Sequence, residues 1–291
     1  MVFLRTKKKN MTEENKRDGW TGRCRSVRMS AVILILIMLT ASISTAAADD
    51  EETGAAGIRY LEAGTSYTHF TNDLEDGNTQ FLSLLFSRER SYQLRVAAER
   101  SSRWGDSGFG FGALFTTYFA RSWSVGVGAS TGSGKFILPD YRIDASIGKA
   151  FLPQRNLLAS VGFVHEQSKG PNYYDRIAPS LQWWAGSHWI FGGFFNYDIG
   201  QPGDTSTKSG GLEVTWFDWQ QHFVGLVVEL GDVNYTQVGP TDFLVAYKQV
   251  SMRVYFTQYF NPTTGMNVRG DWGTSDLYDL YGISVSFFTE W

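Results

Sequence analysis

The sequence is poor in cysteine, in histidine and in long apolar segments, and each shortage excludes a class of structure. Its 291 residues include one cysteine, Cys24, and four histidines. A chain with a single cysteine forms no internal disulfide framework and no cysteine-based zinc site. After residue 48, no apolar run reaches the roughly 18 residues that a transmembrane helix needs. Hydrogen bonding and packing must therefore supply the stability of the chain.

The first 48 residues have the pattern of a secretory signal peptide. A segment rich in Lys and Arg precedes the apolar run from Ala31 to Ile43, which is too short to span a bilayer. Small residues then stand at Ala46 and Ala48, the positions that signal peptidase favours. We predict cleavage after Ala48, with Met11 as an alternative start. Because Cys24 lies in this segment, the exported chain is predicted to contain no cysteine.

Removal of this segment makes the chain distinctly acidic. Nine of the 26 Lys and Arg residues and three of the 29 Asp and Glu residues precede position 49, so the remainder has a formal charge of −9. An acidic surface repels the phosphates of nucleic acids. The sequence therefore predicts no nucleic-acid partner.

What the chain has in abundance is alternation of apolar and polar residues. Apolar residues recur at every second position in the segments "YQLRVAAER", "WSVGVGAS" and "YRIDASIG", which begin at Tyr92, Trp123 and Tyr141. This period of two is typical of β-strands with one apolar face. Arg, Glu, Gly and Ser occupy the other face, which is unsuitable for the core of a soluble sandwich but suits the lumen of a membrane barrel. The alternation therefore predicts a transmembrane antiparallel β-barrel, with a soluble β-sandwich as the alternative.

The connections between segments alternate between long and short, as in outer membrane barrels. We predict an all-β fold of about 14 strands, or 12 if a weak pair is miscounted, with both termini in the periplasm. The predicted domains are a signal peptide at 1–48, a periplasmic lead-in at 49–57 and the barrel at 58–291. The predicted strands are 58–70, 80–88, 92–100, 108–119, 123–132, 141–151, 157–166, 175–184, 189–198, 210–217, 222–231, 242–258, 265–273 and 278–291.

Strand parity predicts which charged side chains face the lumen. Five are basic and seven are acidic, a mixture that favours ion pairs between strands over a selective pore of one sign. These residues are Glu62, Arg95, Glu99, Arg142, Asp144, Glu166, Arg176, Glu213, Glu229, Arg253, Arg269 and Asp271.

The last strand is predicted to close the barrel by pairing with the first, because an open edge in hydrocarbon leaves backbone groups without partners. Its alternating apolar residues resemble the C-terminal signal that the barrel assembly machinery of bacteria recognises. The residues of this predicted assembly signal are Tyr281, Ile283, Val285, Phe287 and Trp291.

Catalytic and metal-binding patterns are weak. The stretch "FVHEQSKGPN" is similar to the His-x-Ser pattern of outer membrane phospholipases and lipid A deacylases, but Ser168 follows His165 by three residues. On a strand this spacing sends the two side chains to opposite faces. We therefore predict no catalytic residues, no metal site and no cofactor. A lipid-modifying hydrolase that uses His165 and Ser168 is the alternative.

Aromatic pairs beside the short connections have two interpretations. The rings of Trp183 and Trp184, and those of Phe217 and Trp219, fit an interfacial girdle facing lipid. The alternative is that the same rings stack on a saccharide.

Several stretches resemble the YaiO-type family of outer membrane barrels. They are "LPDYRIDASIGKAF", "LLASVGFVHEQ", "SHWIFGGFFNYDIGQPGDTSTKSGGLEVTWFD" and "LYGISVSFFTEW". The resemblance implies an outer membrane location and a role linked in some members to surface polysaccharide, and it transfers no catalytic residue. We expect a non-enzymatic pore or surface structure that passes a saccharide or another small solute. Its expected partners are outer membrane lipid, lipopolysaccharide and the barrel assembly machinery.

Overall fold

The computed structural model describes residues 57–72, 74–88, 91–120, 122–170, 172–201, 205–218, 221–237 and 243–291. They form fourteen strands, each paired antiparallel with its neighbours in sequence. The strands are β1 (Gly57–Phe70), β2 (Gly77–Arg88), β3 (Tyr92–Arg103), β4 (Asp106–Phe119), β5 (Trp123–Gly132), β6 (Tyr141–Phe151), β7 (Leu157–Gln167), β8 (Tyr173–Ala185), β9 (Trp189–Gln201), β10 (Thr205–Asp218), β11 (His222–Gln237), β12 (Phe243–Asn261), β13 (Thr264–Ser275) and β14 (Asp279–Glu290).

The first and last strands pair and close the sheet into a barrel. Their register runs from Tyr60 opposite Glu290 to Phe70 opposite Leu280. Closure gives every strand two partners, which is the condition for a sheet to span hydrocarbon. The prediction of a 14-strand antiparallel barrel is confirmed, and the 12-strand alternative is wrong.

Strand β1 begins and β14 ends at the same end of the barrel, which we call the terminal end. The opposite end, which we call the loop end, carries the connections that the sequence predicts to be long. Most of these connections are shorter than predicted because strand pairing continues past the predicted boundaries. In "SSRWGDS", for example, Arg103 pairs with Asp106, and only Trp104 and Gly105 form the turn. Both turn residues have positive φ, at 53° and 71°.

The longest described connection at the loop end is the segment 133–140, between β5 and β6. The predicted signal peptide 1–48, almost all of the lead-in 49–57 and Trp219 lie outside the described residues. Within the described part of the chain, no helix has the length and apolar character needed to cross a membrane.

A contact between strands that are not neighbours identifies the inner face of the wall. The hydroxyl of Tyr255 on β12 donates a hydrogen bond to Glu213 Oε1 on β10, at 2.8 Å. The ring passes over Gly225 on the intervening β11, where any Cβ would overlap it. Only on a concave surface do side chains two strands apart converge in this way. The face that carries Tyr255 is therefore the lumen.

The other face of the wall is apolar and exposed. Leu212 on β10 is 73% exposed, and Phe111 and Ile283 lie on the same outer face of their strands. A soluble barrel would not leave such residues in water, whereas a barrel in lipid presents them to hydrocarbon. Aromatic residues cluster on the outer face near the terminal end, including stacked Phe119 and Trp123. This is the position expected for an interfacial girdle.

Candidate functional site

The register places all twelve charged side chains predicted for the lumen on the face that carries Tyr255. They are distributed along the inner wall, from Glu62 opposite Phe288 near the terminal end to Glu166 near the loop end of β7. The twelve residues are Glu62, Arg95, Glu99, Arg142, Asp144, Glu166, Arg176, Glu213, Glu229, Arg253, Arg269 and Asp271. We call this set the charged band.

Ion pairs occupy the charged band on β6 to β9. The guanidinium of Arg142 donates to Asp144 through Nε and Nη2, and its Nη1 lies 3.6 Å from Glu166. Arg176 donates two parallel hydrogen bonds to Asp198, from Nε at 2.7 Å and from Nη2 at 2.9 Å. Paired guanidinium and carboxylate groups compensate each other's charge, so this wall is rigid and close to electrically balanced.

Three acidic residues elsewhere in the charged band, Glu62, Glu213 and Glu229, are held by neutral groups. Glu62 accepts hydrogen bonds from Asn267 at 2.9 Å and from Ser286 at 2.5 Å. Glu229 accepts one from Ser209 at 2.7 Å. Glu213 accepts one from Tyr255, as described above. Among the described residues, no Lys or Arg forms an ion pair with these three carboxylates.

The sequence prediction did not include Asp198 among the charges that face the lumen. Asp198 is the last residue of the predicted strand 189–198, and β9 continues past it to Gln201. Asp198 shares the inner face with Asn196, two residues earlier, and both side chains are buried. Continuing the alternation from Asn196 to residue 198 would have assigned Asp198 to the lumen.

A row of aromatic rings lines the inner wall at the terminal end. Phe217 stacks on Phe223 at 5.8 Å between ring centroids, and Phe223 lies 6.3 Å from Tyr259. Phe288 continues the row, at 5.0 Å from Tyr259 and 5.5 Å from Tyr60. We call these five rings the inner belt. The prediction that neighbouring aromatic residues share a lipid-facing girdle is wrong for Phe217 and Trp184. The strand alternation turns both inward, while Trp216 and Trp183 face out.

A second aromatic group lies at the loop end. Phe70, Trp104, Phe136, Tyr247 and Tyr278 form one buried cluster, which we call the aromatic plug. The centroid of the Phe70 ring lies 5.3 Å from that of Trp104 and 5.7 Å from that of Tyr278. The hydroxyls of Tyr247 and Tyr278 are 2.8 Å apart and share a hydrogen bond. Phe70 is only 3% exposed, so the packing at its centre is tight.

The plug crosses the mouth of the barrel. Phe136 belongs to the loop 133–140, whereas Tyr247 lies on β12, on the opposite side of the ring of fourteen strands. The loop is fixed by Asp106, whose Oδ2 accepts the backbone N–H groups of Lys135, Phe136 and Ile137 at 2.8, 2.8 and 3.2 Å. A buried carboxylate that accepts three N–H groups is a strong anchor.

Both ring nitrogens of His165 have neighbours other than Ser168. His165 faces outward on β7, with Nδ1 2.7 Å from Asp175 Oδ1 and Nε2 3.3 Å from the hydroxyl of Tyr141. The nitrogen that a general base would offer to serine is thus next to a tyrosine. Ser168 follows the end of β7, and its N–H donates to the carbonyl of Asn172. Among the described residues, no cluster of His, Cys, Asp or Glu could hold a metal ion.

The predicted assembly-signal residues of β14 lie on its outer face. Tyr281, Ile283 and Phe287 are exposed there, and Val285 is paired with Val268 of β13. Trp291 follows the end of the strand and is also exposed. The residues between them face the lumen.

Comparison with known proteins agrees with this architecture. The family model of the YaiO membrane beta barrel domain matches residues 58–236, more than half of the chain. No curated protein matches the chain by sequence.

Solved outer membrane barrels share the fold at low sequence identity. The CymD monoaromatic hydrocarbon channel has a TM-score of 0.56 and 9% identity, covering 80% of this chain and 89% of the channel. A bacterial polysaccharide outer membrane secretin has a TM-score of 0.51 and 9% identity, covering 82% and 100%. Omp33 of Acinetobacter baumannii has a TM-score of 0.50 and 13% identity, covering 80% and 99%. The chain belongs to the YaiO membrane beta barrel domain family and is a multi-strand β-barrel of the outer membrane.

Proposed function

We propose that the protein is a non-enzymatic pore for small polar solutes, closed at its loop end by the aromatic plug. The observation that carries the proposal is the order of side chains along the inner wall. On β12 the plug residue Tyr247 is followed by Arg253, then Tyr255, then the belt residue Tyr259. A polar compartment thus lies between two aromatic zones. A barrel that served only as an anchor would need no such compartment.

The compartment has room for a small solute. Four cavities of about 390 to 610 Å³ lie along the inner wall, and each is lined in part by the charged band. Carboxylates, hydroxyls and guanidinium groups offer both acceptors and donors, which suits the hydroxyl groups of a saccharide. Barrels of this fold include a hydrocarbon channel and a polysaccharide secretin. The inner side chains, rather than the fold, must therefore select the solute.

We propose that the loop end faces the outside of the cell and that both termini are periplasmic. In this orientation the short turns lie in the periplasm, as is usual for outer membrane barrels. At the loop end, the outer face carries Tyr67, His69 and Asp76, with His69 Nδ1 2.8 Å from Asp76 Oδ1. Such polar groups would meet lipopolysaccharide headgroups. The barrel assembly machinery is the proposed partner during folding, with the outer face of β14 as its recognition surface.

Uptake of labelled glucose into liposomes tests the pore. We expect slow uptake with the wild-type protein and uptake several-fold faster with Phe136→Ala, because the smaller side chain loosens the plug. Both proteins must show the shift in gel mobility of a folded barrel. Uptake equal to that of protein-free liposomes in both cases would contradict the proposal.

A lipid-modifying hydrolase is the second candidate. The hydrogen bond between Asp175 and His165 favours it, because such a carboxylate orients a catalytic imidazole. The position of Tyr141 at the other nitrogen of His165 argues against it. Fatty acid release from phospholipid or lipid A by wild type, lost in both His165→Ala and Ser168→Ala, would favour the hydrolase over the pore.

A further inference from the structure

Two arginines in the charged band share one carboxylate. Nε of Arg253 donates to Oδ1 of Asp271 at 2.8 Å, and Nε of Arg269 donates to Oδ2 of the same residue at 2.8 Å. Neither guanidinium uses its two terminal nitrogens in these bonds. The side chains of Arg253 and Arg269 are 50% and 45% exposed. Within the described part of the chain, the pair therefore presents unused N–H donors to the lumen, with one positive charge left uncompensated by Asp271.

The other paired arginines of the band differ in this respect. Arg176 binds Asp198 with Nε and a terminal nitrogen, and Arg142 binds Asp144 in the same bidentate manner while a third nitrogen faces Glu166. Their donors are largely used within the wall. If Arg253 and Arg269 served only to make the wall rigid, we would expect their terminal nitrogens to be bound within the wall as well.

The arginine pair opens on the largest of the four cavities, of about 610 Å³. The same cavity is lined by Glu213 and Glu229, which accept hydrogen bonds only from neutral groups among the described residues. The ring of Tyr255 lies between the arginine pair and the glutamates. Tyr255 is directly opposite Arg269 in the register, and its hydroxyl donates to Glu213. Cationic donors, anionic acceptors and an aromatic face therefore meet in one space.

This arrangement restricts the kind of anion that fits. A carboxylate has two oxygens in one plane and can accept from both guanidinium groups. A phosphate dianion would bring a second negative charge close to Glu213 and Glu229, where repulsion is costly. The two glutamates instead favour hydroxyl or other donor groups on the rest of the solute. A flat sugar face can pack on Tyr255.

We propose that Arg253 and Arg269 form a binding site for the carboxylate of a hydroxylated solute, an acidic sugar of the uronic acid class. The proposal deepens the pore function proposed above and rests on it for the route by which the solute reaches the lumen. The carboxylate lies against the two guanidinium groups, and the sugar hydroxyls donate to Glu213 and Glu229.

Calorimetry on the full-length barrel in detergent tests the site with glucuronate, glucose and inorganic phosphate as probes. In Arg253→Gln/Arg269→Gln, we expect glucuronate to bind about tenfold or more weakly, because two charge-assisted donors are lost. The matched control is Arg100→Gln/Lys208→Gln, which removes two positive charges from the outer face. There Arg100 lies over Phe109 and Lys208 over Tyr197. We expect glucuronate affinity within about twofold of wild type in this control, because surface charge far from the lumen is screened.

A third variant tests the site without removing a donor. Asp271→Asn takes away the shared carboxylate and adds one unit of positive charge, so we expect glucuronate to bind more tightly. This result supports the proposal even if the double arginine variant does not fold. Unchanged or weaker binding in Asp271→Asn, no binding to wild type, equal binding to the double variant, or phosphate binding as tight as that of glucuronate would each overturn it. Binding does not require transport, so a failure here is distinct from a failure of glucose uptake.

Discussion

The carboxylate of Asp106 holds the backbone of Phe136. Its Oδ2 accepts the N–H of Phe136 at 2.8 Å and thereby joins β4 to the loop that crosses the mouth of the barrel. Asp106 is 6% exposed, and its other oxygen accepts the N–H of Ser107 at 2.9 Å. Loss of this carboxylate would leave several N–H groups without a partner, at about 1–3 kcal/mol for each buried donor. The position of Phe136, one of the five plug residues, thus depends on Asp106.

Asp106→Ala should make the loop 133–140 sensitive to trypsin. The side chain of Lys135 is exposed in the structure, but its backbone N–H is held by Asp106, so cleavage requires local opening of the loop. Mass spectrometry of the folded barrel in detergent would detect the cut after Lys135. Asp175→Ala, which removes a carboxylate from the outer face, should stay as resistant as wild type. Equal resistance of Asp106→Ala and wild type would show that Asp106 does not anchor the loop.

Arginine at Val285 should be more harmful than arginine at Ser284. Val285 faces lipid, where arginine costs about 2–4 kcal/mol near the midplane of the bilayer. Ser284 is opposite Arg269 on the lumen face, where water can solvate the new charge. The shift in gel mobility on heating reports the folded fraction of each variant. Equal folded fractions would mean that this strand does not present Val285 to lipid.

The structure also changes the choice of control for that experiment. The sequence alone suggests that Ser284 and Ser286 are equally suitable, since both face the lumen. Ser286, however, is only 3% exposed and donates to Glu62 at 2.5 Å. Arginine at Ser286 should therefore be disruptive for a reason unrelated to lipid.

A side chain at Gly225 should disturb the inner wall. The ring of Tyr255 lies directly over this position on its way to Glu213, and a Cβ would overlap it. Overpacking of this kind typically costs about 1–3 kcal/mol. Gly225→Ala should therefore lower the midpoint of unfolding in urea. Gly170→Ala is the control, because no atom of the described residues lies within 4 Å of a Cβ there. Equal midpoints for the two variants would contradict the packing of Tyr255 over β11.

Alkaline pH should open the plug. Burial, followed by the neighbouring Tyr247, raises the pKa of Tyr278 above its ordinary value of 10.0, while Arg103 opposes this to a smaller extent. The closed plug therefore favours the neutral phenol. Once the pH exceeds 10.0, an open state with a hydrated Tyr278 ionises first and gains population. Conductance should be constant below that pH and rise above it.

Tyr278→Phe removes the ionisable group while keeping the ring. Its conductance should show a weaker rise above the same pH than wild type does. An identical alkaline rise in both proteins would assign the effect to another group.

The strand pattern and the faces of the strands could be predicted because they follow from the backbone alone. The period of two in "YRIDASIG" is enough to turn Arg142 and Asp144 to one side and Ile143 to the other. Strand ends could not be predicted, because they depend on whether a partner continues the pairing. Arg103 and Asp106 extend β3 and β4 to a two-residue turn that local composition does not reveal.

The plug and the sharing of Asp271 could not be predicted from sequence. Phe136 and Tyr247 come from opposite sides of the ring, and only the closed barrel brings their segments into one cluster. Parity assigns Arg253, Arg269 and Asp271 to the lumen, but it does not say which nitrogen atoms they use. That distinction decides whether the arginines only brace the wall or also bind a solute.

Single-channel conductance in planar bilayers tests the central claim, that the lumen is a polar pore closed by the anchored plug. The comparison is between wild type, Asp106→Ala and the outer-face control Asp175→Ala, each shown to be folded by gel mobility. We predict that wild type and the control are closed for most of the recording, and that Asp106→Ala is open for most of it. The same closed behaviour in all three folded proteins, or wild-type channels that are fully open with the plug anchored, would contradict the account.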